Sequence, residues 1–106
     1  MSITMLNADS FRKEILEDKK TVLVEYMAPW CVYCRRLGPT LDKVAAERDG
    51  SLIVAKLDID ECPKIAEEYK IEVVPTILLY KDGKEAARIV NPASKALLDE
   101  FLSQNL

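Results

Sequence analysis

TVLVEYMAPWCVYC, residues 21–34, runs from an apolar segment into two cysteines separated by two residues. Its first part, Thr21 to Ala28, is rich in β-branched and aromatic residues and too apolar to alternate cleanly, which predicts a strand covered on both faces. From Cys34 onward Leu37, Leu41, Val44 and Ala45 recur at helical spacing, so a long helix starts at or just before the cysteine pair and runs to about Arg48. The cysteines therefore stand where a central strand gives way to a helix N-terminus. Unpaired backbone N–H groups and the helix dipole stabilise negative charge at such a place. A thiolate at Cys31 is favoured there, and lowering its pKa from the free value of roughly 8.5 raises the reactive fraction near neutral pH. The N–H of residue 33 is one donor positioned to serve it. Two intervening residues let Cys34 approach Cys31 closely enough to close a small disulfide ring, so the motif can cycle between dithiol and disulfide.

Outward from this stretch the order of elements is legible. Toward the N-terminus, Asn7 is a helix cap ahead of Ala8, Phe11 and Ile15, on a short helix ending near Asp18, with a short strand possible around Ile3 to Leu6. Pro39 lies inside the long helix, removes one backbone hydrogen bond and is expected to kink it. Ser51 to Ile59 reads as a second buried strand, and Pro63 to Tyr69 as a short helix with proline in its first turn. Pro75 to Tyr80 and Lys84 to Val90, joined at Asp82-Gly83, form a hairpin. Leu97, Leu98, Phe101 and Leu102 line a closing helix. Strands alternating with helices imply parallel crossovers, and the hairpin adds an antiparallel edge. The expected class is α/β, a central mixed sheet with helices on both faces.

Composition narrows the function. The chain has 106 residues, 49% hydrophobic and 31% charged with mixed signs, which predicts one globular domain over residues 1–106. Its net charge of −3 and lack of a Lys/Arg cluster argue against nucleic acid as a partner. No basic segment leads into an apolar run at the N-terminus, and no stretch approaches the roughly 20 apolar residues of a membrane span. A cytoplasmic location without membrane association is expected. Three cysteines are too few for a disulfide scaffold. A zinc site is a competing use of a short cysteine pair, but structural zinc takes four protein ligands, and the chain has no histidine and only Cys62 beyond the pair. No metal or cofactor is expected. Two buried, inert cysteines are the other alternative, at odds with a helix start behind Pro29 and Trp30.

VEYMAPWCVYC (24–34), KLDID (56–60), VVPTILLYKDGK (73–84) and LLDEFLSQNL (97–106) occur in this order along essentially the whole chain, and together they resemble the thioredoxin family. That resemblance implies the thioredoxin fold and a thiol-disulfide oxidoreductase that reduces protein disulfides and is re-reduced by a thioredoxin reductase. It implies Cys31 as the attacking thiolate, Cys34 as the resolving thiol, and a cis peptide at Val74-Pro75. Trp30, Val74 and Pro75 would shape the docking surface, the Val74 backbone pairing with a substrate strand. Glu25 falls at the family's buried-acid position, usually aspartate, and Lys56 at that of its lysine partner, so Glu25 could take a proton from Cys34. Without the resemblance, both charges read as ordinary exposed side chains.

Two departures from the family pattern matter. Val32-Tyr33 replaces the usual Gly-Pro between the cysteines, which bears on redox poise. Asn91, followed by Pro92, replaces the small glycine of the third docking loop, which bears on partner choice. A net oxidant or isomerase, and a non-redox module that only binds through the same surface, are the competing functions. Cys62 is expected to be an incidental free thiol in preference to a sensor, and the protein is expected to be monomeric.

Overall fold

The structure is a computed structural model that describes residues 3–106. Five strands, β1 (Thr4–Leu6), β2 (Val22–Met27), β3 (Ile53–Asp58), β4 (Thr76–Lys81) and β5 (Lys84–Val90), form one sheet in the order β1-β3-β2-β4-β5. β3 runs parallel to both β1 and β2, whereas β4 is antiparallel to β2 and to β5. The mixed sheet follows from its connections: long helical crossovers permit parallel pairing and the tight hairpin forces antiparallel pairing. At the hairpin, Asp82 and Gly83 both take positive φ, 55° and 82°, the twist that a two-residue turn between paired strands requires.

The apolar run of β2 is explained by its central place. Val22, Val24 and Tyr26 pack on one side with Phe11, Ile15, Cys62 and Ala66, while Leu23 packs on the other with Leu37, Leu41, Leu98 and Leu102. Helices α2 (Val32–Glu47) and α4 (Lys95–Asn105) cover the second face; α1 (Ala8–Phe11) and α3 (Pro63–Glu68) cover the first. Tyr26 and Tyr80 meet inside the first cluster and satisfy each other's hydroxyls at 2.5 Å.

Two local expectations are refined. Asn7 does cap α1, its side chain accepting from the Ser10 N–H while its own N–H donates to Ser10 Oγ. The single helix expected to Asp18 instead passes into a π-helical stretch, Arg12–Glu17, with the Asp18 N–H reaching the Lys13 carbonyl at 2.9 Å. Phe11 and Ile15 are both buried against the sheet. α2 runs unbroken through Pro39, whose missing N–H leaves only the carbonyl of the exposed Arg35 without its helical donor, where water can serve it.

Candidate active site

The chain leaves the sheet at the C-terminal end of β2, crosses Ala28 to Trp30 and enters α2 with Cys31 as the capping residue. Cys31 has extended backbone, φ −86° and ψ 109°, so its Sγ turns back over the first helical turn. There it accepts a hydrogen bond from the Cys34 N–H at 3.2 Å. A thiolate at Cys31 therefore has an aimed donor as well as the helix dipole. The donor belongs to residue 34, not to residue 33: a cap is served by the second or third helical N–H, and the Cys31 backbone selects the third.

Cys31 and Cys34 are linked sulfur to sulfur, with Cα atoms 5.2 Å apart, inside the span that a disulfide bridges. Both are buried and pack with Ala28 against Met27, Ile59 and Val74. Exposure does not distinguish the two sulfurs; the backbone N–H donated to Cys31 Sγ does.

The residues expected around the pair converge on it. The Val74-Pro75 peptide is cis, and the Val74 carbonyl oxygen lies 3.6 Å from Cys31 Sγ. Thr76 steadies that approach by donating from Oγ1 to the Val73 carbonyl at 2.7 Å. The Asn91 N–H donates to the Pro75 carbonyl at 2.9 Å, which ties the third loop to the second. Trp30 is exposed, and its indole N–H donates to Asp60 Oδ2 at 3.0 Å; the Asp60 N–H in turn donates to Asp58 Oδ1 at 2.8 Å.

Glu25 lies deeper. It is only 1% exposed, and neither carboxylate oxygen has a hydrogen-bond partner. Alternation along β2 puts it on the face of Leu23, the side covered by α2, and the parallel register sets it opposite Lys56 of β3. Burial pushes its carboxyl up to about 7, against the opposing pull of the Lys56 charge. The reading of Glu25 as an ordinary exposed strand residue is therefore wrong: central strands leave no exposed face at that register.

The family model described as Thioredoxin matches residues 2–104 of the chain. The chain belongs to the thioredoxin family. A thioredoxin of Porphyra purpurea is 34% identical over 104 residues, covering 98% of this chain and 97% of that protein. A thioredoxin of Mycobacterium tuberculosis is 42% identical over 94 residues, covering 89% and 81%. The M-type chloroplastic thioredoxin of Chlamydomonas reinhardtii is 38% identical over 101 residues, covering 95% and 72%. Within this thioredoxin fold the Cys31-Cys34 pair is the dithiol/disulfide couple, and the chain has the features of a thioredoxin-like disulfide reductase.

The departures from the usual thioredoxin pattern have structural accounts. Asn91 sits at φ 42°, a left-handed conformation that glycine enters freely and asparagine better than other side chains. Tyr33 is exposed, and the Arg36 guanidinium lies over its ring, 5.5 Å from the centroid. Asp60, Thr76 and Arg36 escape sequence reasoning. Asp60 is within the KLDID motif, and Tyr33 and Arg36 stand three apart on a helix, but neither signal names a partner. Cys62 is buried in the other core cluster, at the N-terminal end of α3, where burial pushes its thiol up. Among the described residues no three His, Cys, Asp or Glu side chains gather as a metal site, and no helix is long and apolar enough to cross a membrane.

Proposed function

We propose that residues 1–106 work as a single thioredoxin domain that reduces protein disulfides with Cys31 as nucleophile and Cys34 as resolving thiol. The observation that carries this assignment is the Cys34 N–H aimed at Cys31 Sγ. In the reduced protein the Cys31 thiolate attacks one sulfur of a substrate disulfide; that bond breaks, a Cys31-substrate disulfide forms, and the first substrate sulfur leaves as thiolate. Cys34 then loses its proton and attacks Cys31 Sγ, releasing the second substrate thiolate and leaving the Cys31-Cys34 disulfide. The substrate thiolates take up protons from solvent, and the protein has given up two electrons. A thioredoxin reductase returns them, which makes the protein an electron carrier, acting as a monomer in the cytoplasm, where thiols are kept reduced.

In this reading Glu25 accepts the Cys34 proton. A base whose pKa lies near the working pH is matched to that transfer, and Lys56 keeps the buried carboxyl ionisable by opposing the cost of burial. Trp30, Val74, Pro75 and Asn91 form the docking rim, with the Val74 backbone offered to an extended substrate segment.

The test is reduction of insulin disulfides by the dithiothreitol-recycled protein. Cys31→Ser abolishes it, and Cys34→Ser accumulates a mixed disulfide with the substrate, visible by mass spectrometry under non-reducing conditions. Trapping by Cys31→Ser instead would reverse the two roles. Redox equilibrium against glutathione decides net direction: a reductant lies below about −220 mV, and a value near −120 mV would make the protein an oxidant. Full function of the double Cys31→Ser, Cys34→Ser variant in cells would assign a binding module.

A further inference from the structure

Beside the cysteine pair, the first turns of α2 and the loop before α4 enclose a cavity of about 270 Å³ lined by Tyr33, Arg36, Thr40, Asn91 and Ser94 among others. We propose that Arg36 is a specificity-determining residue that receives, in this cavity, an acidic side chain close to the substrate's disulfide-bonded cysteine. The proposal rests on the disulfide-reductase reading above and adds a substrate preference to it.

Position is the first argument. Tyr33 stands between the two cysteines, and Asn91 is bonded to Pro75, so a substrate residue one or two places from the attacked cysteine reaches this space. Charge is the second. The cavity wall contains a guanidinium and no acidic residue, and its remaining polar side chains are the neutral Tyr33, Thr40, Asn91 and Ser94. Like most of the Lys and Arg side chains among the described residues, Arg36 makes no ion pair, so its charge is available to a substrate carboxylate. Pre-ordering is the third. The guanidinium rests over the Tyr33 ring, which limits the rotamer freedom lost on meeting a carboxylate and leaves the N–H edge free for it. The opposite flank of the site, where Trp30 is bonded to Asp60, is acidic through Asp58, Asp60 and Glu61. A substrate with its carboxylate on the Arg36 side is thus attracted on one flank and spared repulsion on the other.

The experiment compares three synthetic peptides with one intramolecular disulfide, identical except for Glu, Gln or Lys two residues from one cysteine. Each is reduced in a single turnover by the pre-reduced protein, quenched with acid and quantified as free peptide thiol. The two electrons come from the Cys31-Cys34 dithiol, which ends as the disulfide. At low ionic strength the Glu peptide reacts about fivefold faster than the Lys peptide, the scale of an exposed ion pair, and 0.5 M salt brings the ratio below about twofold. Arg36→Gln collapses the ratio to near one and Arg36→Glu inverts it. Arg35→Gln, outside the cavity wall, preserves it. Equal rates on all three peptides, a ratio that survives in Arg36→Gln, or a collapse in Arg35→Gln would each overturn the assignment to Arg36 while leaving the reductase reading intact. Failure to reduce even the Gln peptide would overturn both.

Discussion

Glu25→Gln removes a buried ionisable group while keeping its shape, and the structure sets the size and sign of the effect. Glu25 has an ordinary pKa of 4.5 and is pushed to about 7 in the fold, chiefly by burial. Between those values the native state holds a proton that the unfolded chain has released, so the contribution of Glu25 to stability is full below pH 4.5 and is lost as pH rises through 7. At 1.36 kcal/mol per pKa unit the loss amounts to about 3 kcal/mol by pH 8. Glutamine does not titrate; its amide carries a desolvation cost of its own, but that cost is constant with pH. The assay is urea denaturation of oxidised wild type and Glu25→Gln from pH 4.5 to 8.5. Relative to wild type, the variant gains about 3 kcal/mol across that interval, nearly all between pH 5 and 8. With no histidine in the chain, few other groups titrate there, and the difference between the two proteins cancels those that do. Stability differences constant to within about 0.5 kcal/mol across the range would refute the reasoning, because a carboxyl without a shifted pKa has no linkage to pH. In rapid-mixing kinetics the same variant slows decay of the mixed disulfide more than its formation. Equal effects on both steps would remove the proton-acceptor role.

Cys62→Ser leaves insulin reduction within about twofold of wild type, because the thiol is buried in the other cluster with its pKa raised; a loss of turnover in the folded variant would require a third redox thiol. Asn91→Ala destabilises by about 1 kcal/mol in thermal or urea unfolding whereas Asn91→Gly is near neutral, since φ 42° is open to glycine and strained for alanine; equal costs would place the importance of Asn91 in its side chain. Tyr33→Pro retains the Cys34 N–H, so the alkylation pKa of Cys31 changes by less than about 0.5; a rise of about a full unit would show that the residue 33 N–H holds the thiolate.

Local pattern was enough for the elements. β2 is visible because burial on both faces demands an unbroken apolar run, and α2 because a helix lying on a sheet needs its apolar residues on one stripe. Asn7 and Asp82-Gly83 are equally local: a cap and a two-residue turn depend on residues at most three apart. The π-helical stretch at Arg12–Glu17 was not legible, because nothing in its composition distinguishes a wider turn from an ordinary one.

At the site, the sequence by itself determined that Cys31 and Cys34 stand at a strand-to-helix junction and can form a redox pair, since two intervening residues place both on one helical turn. Tertiary structure decided the rest. Glu25 is a shifted acid because β3 and β4 flank β2 and α2 covers it, so its carboxylate loses water and gains no hydrogen bond; alone, Glu25 in a strand has no reason to be buried. Val74 meets Cys31 from 43 positions away and Asp60 meets Trp30 from 30, Asn91 is tied in through Pro75, and their convergence depends on the β1-β3-β2-β4-β5 order. Which helical N–H serves Cys31 is likewise decided in three dimensions, because the choice between successive N–H groups rests on the φ and ψ of a single residue.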